Sequence, residues 1–254
     1  MKTKIRLSPM TRLYATFDLE LEIDKQGTLN NLRGKFIERL VVAEQKRDAT
    51  IRSLFYIDAA LAILVSGKSL KVPFFDIATS DLPAILEIVT ATGAIAAVFV
   101  VIAFINWASY DTILNQFAIR DAQPTFIDPD FIQAAEKQTE LTMKLLRKKF
   151  NIWGVDFHEP GRAFSTYAWI TAILFNALCI LFPILHFILT AMSLNQTYVH
   201  SDMGAVYIIY FGVVSLANFL AVWIFVGAYR DFTFFVDLTG DTPAVVPRPS
   251  EPPN

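Results

Sequence analysis

The sequence predicts an all-α integral membrane protein: a four-transmembrane-helix bundle with cytoplasmic amphipathic helices and a small two-stranded cytoplasmic sheet. Three observations lead there. Of the 254 residues, 54% are hydrophobic and 22 are Phe, and they gather into long runs instead of spreading as in a soluble domain. Lys and Arg are segregated among the segments that separate those runs. Aromatic residues flank the runs at the level where lipid headgroups lie.

The N-terminal region, 1–52, is polar and has no apolar stretch resembling a signal peptide, so insertion is expected to rely on internal spans. Within it, 15–24 (ATFDLELEID) sets Phe17, Leu19, Leu21 and Ile23 against Asp18, Glu20, Glu22 and Asp24. That alternation predicts a half-buried strand, and a strand needs a partner. The matching segment is 231–238 (DFTFFVDL); the alternative there is a helical extension of the last span. Residues 28–51 place Leu29, Leu32, Phe36, Leu40 and Ala43 on one helical face, predicting a long helix that runs from the cytoplasm into the membrane.

Residues 53–109 hold the first two spans. The run at 53–67 is short and contains Asp58, so an interfacial or re-entrant helix competes with a crossing. The run at 83–109 exceeds the ~20 residues needed to cross ~30 Å of hydrocarbon. Its Thr90, Gly93, Ala94 and Ala97 form a close-packing face for another helix. The loop 110–163 opens a helix at Asp128-Pro129, as N-cap and first helical residue. This helix carries the basic cluster Lys144, Arg147, Lys148 and Lys149, which would touch lipid headgroups or enforce topology. Residues 164–229 hold spans at 164–191 and 204–229; Pro183 removes one backbone hydrogen bond from the former. The tail, 230–254, ends proline-rich and is expected to be disordered.

Charge arbitrates the crossing number. Residues 1–52 carry eleven Lys and Arg, 110–162 seven and the tail two, against two in 68–82 and none in 192–203. Four crossings put twenty on one side and two on the other, the positive-inside pattern, with both termini cytoplasmic. A bacterial inner membrane is the default location. The sequon at Asn195 sits in a short outer loop and says little.

Ionisable groups inside a span cost about 2.5–3.5 kcal/mol at its centre, so Asp58, Glu87 and His186 call for a role. Measured along the apolar runs, Glu87 and His186 each lie about one turn from the outer end. They are expected to meet as a charge-assisted pair that titrates or holds a cation, or simply ties two helices together. Asp58 is expected to pair with another helix or subunit. Asn176 and Asn218 fall near mid-depth of neighbouring spans and are expected to bond to each other. Cys179, the sole cysteine, is expected to be a small buried apolar residue.

A net charge of −2 argues against nucleic-acid binding. No phosphate loop, nucleophile elbow or metal spacing occurs, so no cofactor, metal or catalytic residue is expected. The expected partners are the lipid bilayer and either further copies of the chain or other membrane subunits. A homo-oligomeric channel or membrane sensor is the leading reading. An accessory subunit of a larger membrane complex comes next, and an enzyme last.

Overall fold

A computed structural model describes residues 2–68, 84–125, 127, 129–136, 151–152, 155–156, 161–200 and 204–237. The basic cluster Lys144, Arg147, Lys148 and Lys149 and the Asp128 cap lie outside them, as does the proline-rich end of the tail. In chain order the elements are β1 (Lys2–Leu7), α1 (Pro9–Ile23), α2 (Thr28–Val65), α3 (Ile85–Thr125), α4 (Pro129–Glu136), β2 (Asn151–Ile152), β3 (Val155–Asp156), α5 (Arg162–His200), α6 (Gly204–Tyr229) and β4 (Phe232–Asp237). Among the described residues three helices, α3, α5 and α6, are long and apolar enough to cross a membrane. The segment 53–65 is the last part of α2, which runs unbroken from the charged N-terminal region.

The predicted strand at 15–24 is a helix. Ser8 caps α1 by accepting from the Thr11 amide at 3.1 Å, and Pro9 opens it with a preset φ. Phe17 and Leu21 share a face in a period-two strand, but they are also an i, i+4 pair on a helix. They dock on a core of Leu40, Leu114 and Phe117, while Leu19 and Ile23 stay exposed. The Phe17 ring meets Phe117 edge-on at 5.3 Å and Phe36 at 5.9 Å, contacts that favour the helix over the pleat. The strand expected at 231–238 does form, as β4. Its partner is β1, antiparallel, with Leu7 opposite Phe232 and Lys2 opposite Asp237. The two ends of the described chain are thereby joined.

The long helix expected from 28 onward into the apolar run is α2. Gly27, in the left-handed conformation, turns the chain from α1 (φ 67°), and the Asp24 carboxylate accepts from the Thr28 and Leu29 amides at 3.0 and 2.6 Å. The first part of α2 packs with α1, α4 and the last part of α3 into a helical cap. Arg33 bridges Asp121 of α3 and Glu136 of α4, and Gln133 of α4 donates to Asn115 of α3. Where cap gives way to apolar bundle, the Arg47 guanidinium lies over the Trp107 ring at 4.1 Å, an amphipathic pairing suited to a headgroup boundary.

In the bundle α3 is central. Its Thr90, Ala94 and Ala97 are buried against α2, α5 and α6, together with Leu54, Leu194, Val214 and Ala221. The small-residue face read from the sequence is the one that packs. By contrast, α5 divides at Pro183. From His186 onward one face is buried. Before it, Trp169 (67% exposed), Leu178 (66%) and their neighbours stand away from the bundle on every side. Cys179, expected to be buried, is exposed on this first half.

Candidate functional site

The buried polar centre of the bundle joins three helices. His186 of α5 places Nδ1 2.7 Å from Asp58 Oδ1 of α2, and Nε2 3.1 Å from Asn218 Oδ1 of α6. All three residues are buried (2%, 4% and 8% exposed). Gly93 of α3 forms the fourth wall: a Cβ there would sit 3.2 Å from Ile57 Cγ2 and 3.5 Å from His186 Cε1. The absent side chain lets α3 approach both α2 and the imidazole. Gly93→Ala is therefore expected to cost about 1 kcal/mol and Gly93→Leu about 3, read as lost thermal stability in detergent. An unchanged Gly93→Leu variant would show that the walls are not closed.

Depth follows from helix rise. Asn218 is 14 residues past Gly204 and 11 before Tyr229, about 21 and 16 Å from the ends of α6. His186 is 14 residues before the end of α5, also about 21 Å. The cluster thus sits near the middle of the apolar bundle, where an unpaired charge is most costly.

The hydrogen bonds fix the protons. Asn218 Nδ2 donates to the Val214 carbonyl of its own helix at 3.0 Å, which turns Oδ1 toward the imidazole. His186 Nε2 must then donate. Across the 2.7 Å gap to Asp58 one proton is shared, as imidazolium beside carboxylate or imidazole beside carboxylic acid. Either form is net neutral. Removing that proton leaves two lone pairs face to face and a negative charge in the bundle; adding one to Asp58 leaves a positive charge.

The sequence expectations fare unevenly. Asp58 does find its partner on another helix. The Glu87–His186 pair does not form. Glu87 is six residues before Gly93, so it stands about 9 Å nearer the start of α3 than the imidazole. It is half-buried, and its backbone carbonyl accepts from the Tyr210 hydroxyl at 3.3 Å. Nor does Asn176 reach Asn218. It is exposed on the first half of α5, its amide donating to the Ala172 carbonyl at 2.8 Å. The sequence reading also missed three buried hydroxyl residues, Thr190, Ser193 and Thr197, and took Thr90 only as part of a close-packing face. The 186, 190, 193, 197 spacing along one helical face was the available signal.

No protein-family model, curated protein or solved structure matches this chain. Among the described residues no three His, Cys, Asp or Glu side chains converge as metal ligands.

Proposed function

We propose that this chain is a four-span membrane protein that self-associates and acts as an ion-responsive channel or sensor, with protonation of the Asp58–His186–Asn218 cluster as its input. One observation carries this reading: a hydrogen-bonded carboxylate–imidazole pair, buried at mid-depth, ties α2, α5 and α6 together. A change in its protonation alters the charge at the point where three helices meet, and so biases how they pack. Structural amides or hydroxyls would hold helices together without an ionisable pair, at a lower insertion cost.

The fourth crossing, by 53–65 of α2, is supported by the twenty-to-two division of Lys and Arg, which also favours cytoplasmic termini and a cytoplasmic cap. In a Cys179→Ser background, Glu20→Cys and Ser66→Cys should label from opposite sides of the membrane; labelling from one side removes the crossing. Self-association is supported by the first half of α5, exposed all round, with the Asn176 amide at hydrocarbon depth. Such an amide gains from a neighbouring helix. The same surface favours a second reading, an accessory subunit held by foreign membrane proteins. Native mass spectrometry separates the two: a homo-oligomer supports the first, stoichiometric foreign subunits the second. For the input itself, reconstituted protein is expected to change conductance or tryptophan fluorescence as pH is scanned from about 8 down to about 4, a span that covers the reference range of both carboxylate and imidazole side chains. That response should vanish in Asp58→Asn. A wild-type protein indifferent to pH removes the proposal.

A further inference from the structure

Beyond His186, the buried polar residues of α5 fall on one line. Thr190, Ser193 and Thr197 follow it at intervals of four, three and four residues and are 5%, 0% and 2% exposed. Thr90 of α3, wholly buried, meets the Ser193 hydroxyl. The line covers about 16 Å, from the middle of the bundle toward the end of α5, on the membrane side opposite the cap.

Hydroxyls in apolar helices commonly bond to the carbonyl four residues back. Thr90, Thr92, Thr112 and Thr166 all do so, at 2.7–2.9 Å. Thr190 and Thr197 do not. Their Oγ1 atoms are buried without a hydrogen-bond partner among the described residues, and Asp58 Oδ2 is in the same position. Leaving such groups unsatisfied costs about 1–3 kcal/mol each, a cost that bridging water removes. Toward the cap the environment reverses. One turn from Asp58, Gly93, His186 and Asn218 stand Leu54, Ala97, Phe182 and Ala221, packed as an apolar layer.

We propose that Thr90, Thr190, Ser193 and Thr197 line a one-sided water path that delivers protons to Asp58 Oδ2 from the side opposite the cap, the apolar layer sealing the other side. The role of this path rests on the cluster being the responsive element; its existence rests on the unsatisfied oxygens alone. A hydronium ion at the inner end gives its proton to the free oxygen of the carboxylate and leaves as water. The cluster becomes a carboxylic acid beside an imidazolium still held by Asn218. Around the pair, α3 presents Gly93 and α6 presents Asn218. The next ionisable groups on those helices are Glu87, about 9 Å along α3, and Tyr210, about 12 Å along α6, both toward the mouth of the path.

Silver ion, small enough to follow a file of water, tests the path in full-length protein reconstituted in liposomes. In the Cys179→Ser background, Thr190→Cys, Ser193→Cys and Thr197→Cys are exposed to silver from the side opposite the cap. Thiols left free are alkylated after denaturation and counted by mass spectrometry. The three should react about tenfold or more faster than Ile188→Cys on the lipid face and Ala97→Cys in the apolar layer, because thiolate forms only where water reaches. Equal rates at all five positions, or faster reaction from the cap side, overturn the path. Ser193→Cys, nearly isosteric, decides alone if the threonine variants misfold. Silver reads water entry whatever the protein does with it. A reactive file in a pH-insensitive protein upholds the path and removes the proposed function. An unreactive file in a pH-responsive protein does the reverse.

Discussion

Replacing His186 by Leu is expected to destabilise the protein in detergent by about 3–5 kcal/mol, the cost of stranding one member of a buried charged pair. Asp58 would be left in the middle of the apolar bundle with neither oxygen satisfied, since Oδ2 already lacks a partner among the described residues. Asp58→Leu should cost less. A neutral imidazole can keep its Nε2 proton on Asn218, 3.1 Å away, and leave only an unpaired Nδ1 lone pair. Asp58→Leu/His186→Leu should be milder than His186→Leu alone, because no charge remains to be buried. The coupling energy from this double-mutant cycle distinguishes two accounts of the pair. Neutral interhelical hydrogen bonds in membranes average about 0.6 kcal/mol, so a coupling of that size would reduce the cluster to ordinary helix adhesive. A coupling of about 2 kcal/mol or more marks a charged, proton-sharing pair.

Arg33→Met is expected to loosen the cap by about 2–4 kcal/mol, between the ~1 kcal/mol of an exposed pair and the 3–5 of a buried one. Arg33 is partly buried and touches both Asp121 and Glu136, with Phe117 beneath it, 5.4 Å from guanidinium to ring centroid. Without it, the carboxylates of Asp121 on α3 and Glu136 on α4 lose the cation that joins them. Burial pulls the guanidinium pKa down, but the Asp121 hydrogen bond and the charges of Glu136 and Asp121 outweigh it and raise the pKa above its ordinary value. A raised cationic pKa contributes stability that is complete below the unfolded value and lost only as pH climbs past the folded one. The Arg33 contribution is therefore constant from about pH 6 to 9. Hydrogen exchange should show α4, only eight residues long, opening first in the variant. Arg33→Lys should recover part of the loss, since a point charge cannot fork to both acids. Unaltered exchange in α4 would show that the bridge does not hold the cap.

The two halves of the molecule differ in how far their sequence spoke for them. Apolar composition marks α3, α5 and α6 directly, because uniform hydrophobicity over such length has few other uses. The close-packing face of α3 was equally plain, as small residues at three- and four-residue spacing admit a neighbouring backbone. At 15–24 the pattern was ambiguous: Phe17 and Leu21 satisfy both a strand and a helix. The Ser8-Pro9 cap, upstream of the alternation, tips the balance. The strand at 231–238 was read correctly in kind and wrongly in partner: β1, six residues long like β4, also alternates, with Lys2, Lys4 and Arg6 against Thr3, Ile5 and Leu7, but the longer alternation at 15–24 overshadowed it.

Local pattern by itself determined which stretches are apolar helices, which face of α3 packs, and that Asp58 must look beyond its own helix. Only the tertiary structure decided which polar groups meet. Apolar runs mark where hydrocarbon begins, but α5 continues nine residues past its run, to His200. That extension shifts every depth measured along α5 by about 14 Å. His186 therefore lies level with Asp58 and Asn218, and Glu87 is left near the entrance. Vertical register between helices depends on where each one ends and on which small residue lets the backbones approach. No single helix carries that information in its own sequence.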